Sequence, residues 1–284
     1  MGWLIVKIAG MFVLSLLIVL VLLSSLNLTN RRYEQMVDEG LMRNQVNDKG
    51  FVGEEDLEDL PLVVQNYLRY VGVVGREKIY QYSLDITGEF KMSEDHDFMP
   101  VTIKQTSFQE DFTRLFYMKM RMKGLKIAGL HHLVGGEAVM EIKMLDLFKI
   151  VDERGEEMNQ AELVTVFNDM AIMAPATLID QRITWEEIND YEVIGTISNG
   201  EYSVSARLYF NEEGKLINFM SLDRYAIIDG QAKLVRWETP ITAYHEVNGL
   251  NLPYEGSAKW VYDDREFTYV KMTLHNVSYN EEME

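Results

Sequence analysis

The sequence predicts a mainly β protein of the α+β type: an N-terminal transmembrane helix, then a large curved antiparallel sheet, barrel or half-barrel, with a few covering helices. Three observations predict it. Residues 8–30 form one uncharged apolar run. Segment after segment beyond it alternates apolar and polar residues with a period of two. Asn-Gly and Asp-Gly pairs then punctuate the second half at hairpin spacing.

The N-terminal run comes first. As a helix, Ile8 to Leu28 spans roughly 31 Å at 1.5 Å per residue, close to the thickness of a bilayer core. Trp3 and Tyr33 flank it where interfacial aromatics are favoured, and Lys7 can snorkel outward. The run is longer than a usual signal-peptide core and lacks small residues two apart near Ser24 and Ser25, so an uncleaved anchor is expected. The expected placement is single-pass in the cell membrane. Arg31, Arg32 and Arg43 favour a cytoplasmic C-terminal side, but long domains translocate regardless of such charges, and an extracytoplasmic domain is expected. Three parts result: an anchor over 1–30, a stalk and linker over 31–53, and a single antiparallel β-rich domain over 54–284.

Leu57, Leu60, Val64, Leu68 and Val71 repeat at spacings of three and four behind an acidic start, with Pro61 in the first turn and Gly72 as the stop. From Tyr80 to Met92 the period changes to two, and further strand-like runs follow up to Asp152. Asn159 with Glu162 three residues on fits a helix cap. Leu163, Val166, Phe167, Met170 and Ala174 give that helix one apolar stripe, and Pro175 ends it. Asn199-Gly200, Asp229-Gly230 and Asn248-Gly249 mark hairpins in a meander from Ile183 to Tyr279. About a dozen strands cannot stay flat, so the sheet should curl, with the helix over its concave face.

Composition narrows the function. A net charge of −18 over 284 residues argues against nucleic acid, which is bound through its phosphates. There is no cysteine, so thiol catalysis and cysteine-ligated metals are excluded. His245-Glu246 begins like a zinc-protease motif, but the second histidine is missing and Gly249 falls in a predicted turn. His131 and His132 are strand neighbours and point to opposite faces. Glu94, Asp95, His96 and Asp97 read as a solvated hairpin tip. No nucleophile elbow, phosphate loop or dinucleotide glycine pattern occurs, so no catalytic residue, metal or cofactor is assigned.

The run from Phe116 to Lys123 is the most informative strand. Phe116, Met118, Met120 and Met122 share one face, and Tyr117, Lys119, Arg121 and Lys123 the other. Methionines fill irregular spaces, so the first face reads either as core or as a pliable wall for an apolar ligand, closed by Phe167 and Met170 of the interrupting helix. The basic face reads as a solvated strand face.

Leu60-Pro61 through Tyr70, Gly135-Gly136-Glu137 through Met140, Gly155 through Leu163, Pro175 through Trp185, and Trp237 through Pro253 with Trp260 and Tyr269 resemble a bacterial domain-of-unknown-function family with no assigned activity. Phe98 and Met99 stand where a tryptophan is expected before Pro100. The shape this resemblance implies is similar to the half-barrel of the LolA and LolB lipoprotein carriers, which hold acyl chains between a curved sheet and helices. It implies apolar-ligand binding and transfers no catalytic residue. The expected function is therefore a membrane-tethered, non-catalytic domain that binds an apolar or amphiphilic molecule, including lipid, at the cell envelope. A protein–protein interaction module is the alternative, and a carboxylate-dependent hydrolase the third reading.

Overall fold

The computed structural model describes residues 2–24, 26–44, 50–228 and 230–281. Strands β1 (Gln81–Phe90), β2 (Met99–Phe108), β3 (Thr113–Met122), β4 (Leu125–Val134), β5 (Glu137–Met144) and β6 (Phe148–Arg154) run as an antiparallel meander. Helix α4 (Glu156–Ile172) follows, and a short 3₁₀ turn (Pro175–Ile179) leads from it to β7 (Ile183–Asn189). The chain then returns through β8 (Glu192–Asn199), β9 (Tyr202–Phe210), β10 (Leu216–Ser221), β13 (Arg236–Glu238), β14 (Ile241–Val247), β15 (Leu250–Val261) and β16 (Glu266–Tyr279). A separate hairpin, β11 (Tyr225–Ile228) and β12 (Gln231–Leu234), leaves the sheet.

Among the described residues the main sheet has 14 strands and is open, with β6 and β7 at the ends of its path and β14 paired to β15 off that path. Its two meanders are joined where β1 pairs with β16, from Tyr82 opposite Tyr279 to Phe90 opposite Val270. Helix α4 touches β4, β5 and β6 of one half and β9 and β10 of the other, so the sheet curves around it. Period-two alternation puts Leu84, Ile86, Val101, Ile103 and Met120 on the concave face, where they join one large core with α4. Helix α3 (Leu62–Val71) adds Val64, Tyr67 and Leu68 to that core and stops at Gly72, as its periodicity predicts.

Helix α4 departs from the expected single stripe. Every residue from Ala161 to Ile172 is buried, polar ones included. A helix enclosed by both halves of a sheet has no solvent side, and its polar side chains must find partners inside the protein. Its start also differs. Gly155 (φ 112°) is the cap, and Asn159 lies within the first turns. The Asn159 amide instead accepts from the Ala138 N–H at 2.7 Å and donates to the Tyr202 hydroxyl at 3.1 Å, tying α4 to both halves.

The hairpin tips are placed as expected, with one correction. Asn248 (φ 53°) and Gly249 (φ 78°) form a two-residue turn between the paired residues Val247 and Leu250. At the other site Asn199 is still in the ladder, opposite Tyr202, and the tip is Gly200-Glu201 with Gly200 at φ 60°. A turn that begins on glycine needs only one left-handed residue, and this shifts the tip by one position. Asp229, of the third expected hairpin signal, lies outside the described residues.

The membrane anchor is not borne out. Among the described residues no helix is long and apolar enough to cross a membrane. Helix α1 runs Gly2–Ser24. The single-pass signal anchor, the membrane as partner and the cell-membrane placement drawn from it fall with that finding. The polar segment behind it forms helix α2 (Leu28–Arg43), which lies on the convex face of the sheet. Tyr33, Met36, Val37 and Leu41 cover Leu115, Tyr117 and Leu130 there. Tyr117 is therefore buried, its ring 5.8 Å from that of Tyr33, while Lys119 and Arg121 stay exposed. Gly40 permits this approach: a Cβ at that position would stand 2.3 Å from the Phe108 ring. Residues 45–49 of the expected linker lie outside the described residues.

Candidate ligand cavity

Between the concave face and α4 lies a cavity of about 300 Å³. Strands β1 to β5 supply Phe90, Phe116, Met118, Met140 and Ile142 to its wall, and the opposite half supplies Tyr269 and Met272. Each of these side chains is only partly buried, although all lie on the inner side of the sheet. The volume is at the low end of small-molecule sites, which are characteristically apolar with a few placed polar groups.

The polar groups sit where α4 closes the cavity. Glu162 and Asp169 are one face of α4, seven residues apart, and Arg114 of β3 reaches both. Its Nη1 donates to Glu162 Oε1 at 2.7 Å and its Nε to Asp169 Oδ2 at 2.6 Å, while Nη2 donates to Gln105 Oε1 at 2.9 Å. Gln105 returns a bond to Asp169 at 2.8 Å. His131 Nε2 stands 2.9 Å from Glu162 Oε2, outside hydrogen-bond alignment. Burial opposes ionisation of Glu162, but His131 and Arg114 outweigh it and hold the carboxyl well below the usual carboxylate range. Burial likewise works against the Arg114 charge, and Asp169 and Glu162 outweigh it, raising its pKa. Both carboxylates therefore serve one guanidinium, which suits a structural clamp between helix and sheet.

Arg224, with Trp237 and Thr239, also lines the cavity and lies against α4. Its guanidinium lies 4.2 Å from the Trp237 ring centre and 5.8 Å from that of Trp260. It donates to the Ala161 carbonyl at 3.3 Å and to the Thr165 hydroxyl.

Of the residues expected to form a ligand wall, Phe116 and Met118 line the cavity. Met120 is buried in the core and Met122 packs at its margin. Phe167 is turned into an aromatic cluster, 5.4 Å from Phe219 and 6.1 Å from Trp185. Met170 is fully buried and accepts a bond from Gln109 at its sulfur. Arg114, His131, Asp169 and Arg224 were not anticipated. For Arg114 a signal existed, since it precedes Phe116 by two residues and so shares its face. His131 and His132 do point to opposite faces. His131 meets Glu162, whereas burial and the nearby Arg32 push His132 down to about 4. Among the described residues no group of three or more His, Asp or Glu is arranged to hold a metal ion.

The fold and the cavity together define an open antiparallel β half-barrel closed by an internal helix, with an amphipathic chamber between them. The chain matches the model of a family of unknown function, DUF6544, over residues 50–272, and it belongs to that family. Solved structures that it resembles include a DUF1329 family protein from Desulfovibrio piger, 9% identical over 78% of this chain and 93% of that one, with a TM-score of 0.43. A LolA superfamily protein from Nitrosomonas europaea is 10% identical over 78% of this chain and 95% of that one, with a TM-score of 0.43. A putative outer membrane lipoprotein-sorting protein domain from Vibrio parahaemolyticus is 8% identical over 72% of this chain and 87% of that one, with a TM-score of 0.41. No curated protein matches the chain.

Proposed function

We propose that this protein is a non-catalytic binding protein that holds an apolar or amphiphilic ligand of the lipid class between the sheet and α4. The observation that carries the reading is the cavity of about 300 Å³. Its wall of Phe90, Phe116, Met118, Met140, Ile142 and Met272 leaves apolar surface unpacked inside a protein that otherwise packs a large core. Interiors are normally close-packed, so an apolar void of this size favours a guest. Methionines suit a wall that adapts to flexible chains.

The reading is tested by titrating the purified protein with an environment-sensitive hydrophobic dye. The wild type should bind it. Met118→Asp, which places a carboxylate on the wall, should abolish binding, because an unpaired buried charge is strongly disfavoured. Lys119→Asp, exposed on the other face, should leave binding intact. A wild type that binds no dye, and from which organic extraction recovers no lipid, would overturn the proposal.

A further inference from the structure

We propose that the ligand of this cavity is a single-chain amphiphile with an anionic head group, and that Arg224 reads the head group; this rests on the cavity being a ligand site. The argument starts from which charges are already satisfied. Glu162 has Arg114 on one oxygen and His131 beside the other, and Asp169 has Arg114 and Gln105. Among the described residues Arg224 has no carboxylate within ion-pair distance, although from beyond it its charge helps to hold Glu162 ionised. Its partners are the Ala161 carbonyl and the Thr165 hydroxyl, both neutral. Its Nε is buried and has no acceptor.

A guanidinium is an expensive group to place against an apolar chamber unless something accepts its protons. Here it is also held in position. The adjoining Asp223 accepts from the Ser205 N–H at 2.7 Å, its carbonyl accepts from Gln160 at 2.8 Å, and the Arg224 carbonyl accepts from the Val235 N–H at 3.1 Å. Trp237 covers one face of the guanidinium. The side chain is thus fixed at the cavity wall, and Nη2, which lies outside the bonds to Ala161 and Thr165 and is not enclosed as Nε is, remains as the donor for a ligand. Carboxylates and phosphates match that planar fork, and charge-assisted bonds to them are the strong ones. The small volume of the chamber fits one chain rather than two.

The experiment is dye displacement by four compounds of equal chain length, used below their micelle concentrations: dodecanoate, dodecyl phosphate, dodecanol and dodecyltrimethylammonium. For the wild type at least one anion should bind about tenfold or more tighter than the alcohol, the scale of a hydrogen bond to a charged group. Which anion leads separates a carboxylate from a phosphate head. Arg224→Gln should bring the anions down to the level of dodecanol without weakening dodecanol itself, and Arg224→Lys should restore part of the gap. Equal binding of anions and alcohol by the wild type would overturn the head-group proposal while leaving the cavity reading intact. If none of the four displaces the bound dye, the single-chain proposal falls, while the cavity reading stands on the dye binding itself. An anion preference that survives in Arg224→Gln would remove Arg224 from the role. If the Gln variant does not fold, Arg224→Lys carries the assignment, since a wild-type anion preference left unchanged by it would overturn the role of the planar fork.

Discussion

Glu162 of α4 and Arg114 of β3 meet at 2.7 Å with both side chains withdrawn from solvent. A pair so placed ties the central helix to the sheet. Removing Arg114 leaves two buried carboxylates without the cation they share, and breaking a buried pair typically costs about 3–5 kcal/mol. Arg114→Met should therefore lower the stability measured by denaturant unfolding by roughly that amount. A loss below about 1 kcal/mol would show that the clamp is weak, as exposed pairs are.

Acid should act on His132 before it acts on the carboxylates. Stability rises with pH wherever the unfolded chain binds more protons than the folded one. Folded His132 titrates at about 4 against an ordinary value of 6.5, so between those values it is protonated only when unfolded. Its contribution is complete above the higher value and is lost as pH falls toward the lower, by up to about 3 kcal/mol. Glu162, held low in the fold, adds a second loss below its ordinary value of 4.5. Unfolding free energies between pH 7 and 4 should fall, and His132→Gln should flatten that slope. An unchanged slope in the variant would refute the assignment.

Filling the cavity separates binding from stability. Met272 lines the chamber and is partly buried. Met272→Trp should reduce dye binding about tenfold or more while leaving the thermal midpoint unchanged or raised, since cavity-filling substitutions commonly add about 0.5–2 kcal/mol. A large loss of stability would mean that this side of the chamber is already packed.

The two Asn-Gly pairs should respond differently to the same change. Asn248 has a left-handed backbone, whereas Asn199 is a ladder residue. Asn248→Thr should cost about 1–2 kcal/mol, the left-handed penalty of a β-branched residue. Asn199→Thr should be near neutral, because strands accept threonine. Equal costs in denaturant unfolding would contradict the turn assignment.

What could be read from the sequence was what depends on neighbours along the chain. The alternation through Phe116, Met118 and Met120 shares one face of β3, as expected, and Gly72 and Gly249 end their elements as expected. What could not be read depends on how far along each strand α4 lies. Met118 and Met120 have identical periodicity, yet one borders the cavity and the other is core. Glu162 has the spacing of a capping residue and serves instead as an internal counter-ion, because its helix is enclosed on every side. Arg224 lies beyond any local pattern, in the loop between β10 and β11, and reaches the chamber only through the tertiary fold.

The pairing of β1 with β16 has a consequence for how the protein is made. The first strand of the sheet finds its second neighbour only in the last one. On a ribosome the hydrogen-bonding edge of β1 stays open until β16 has emerged, on the order of ten seconds after β1 itself. Unpaired edges are templates for association with other chains. Newborn protein should thus pass through an aggregation-sensitive interval that ends when the C-terminal strand arrives, and truncation before Glu266 should leave that interval without an end.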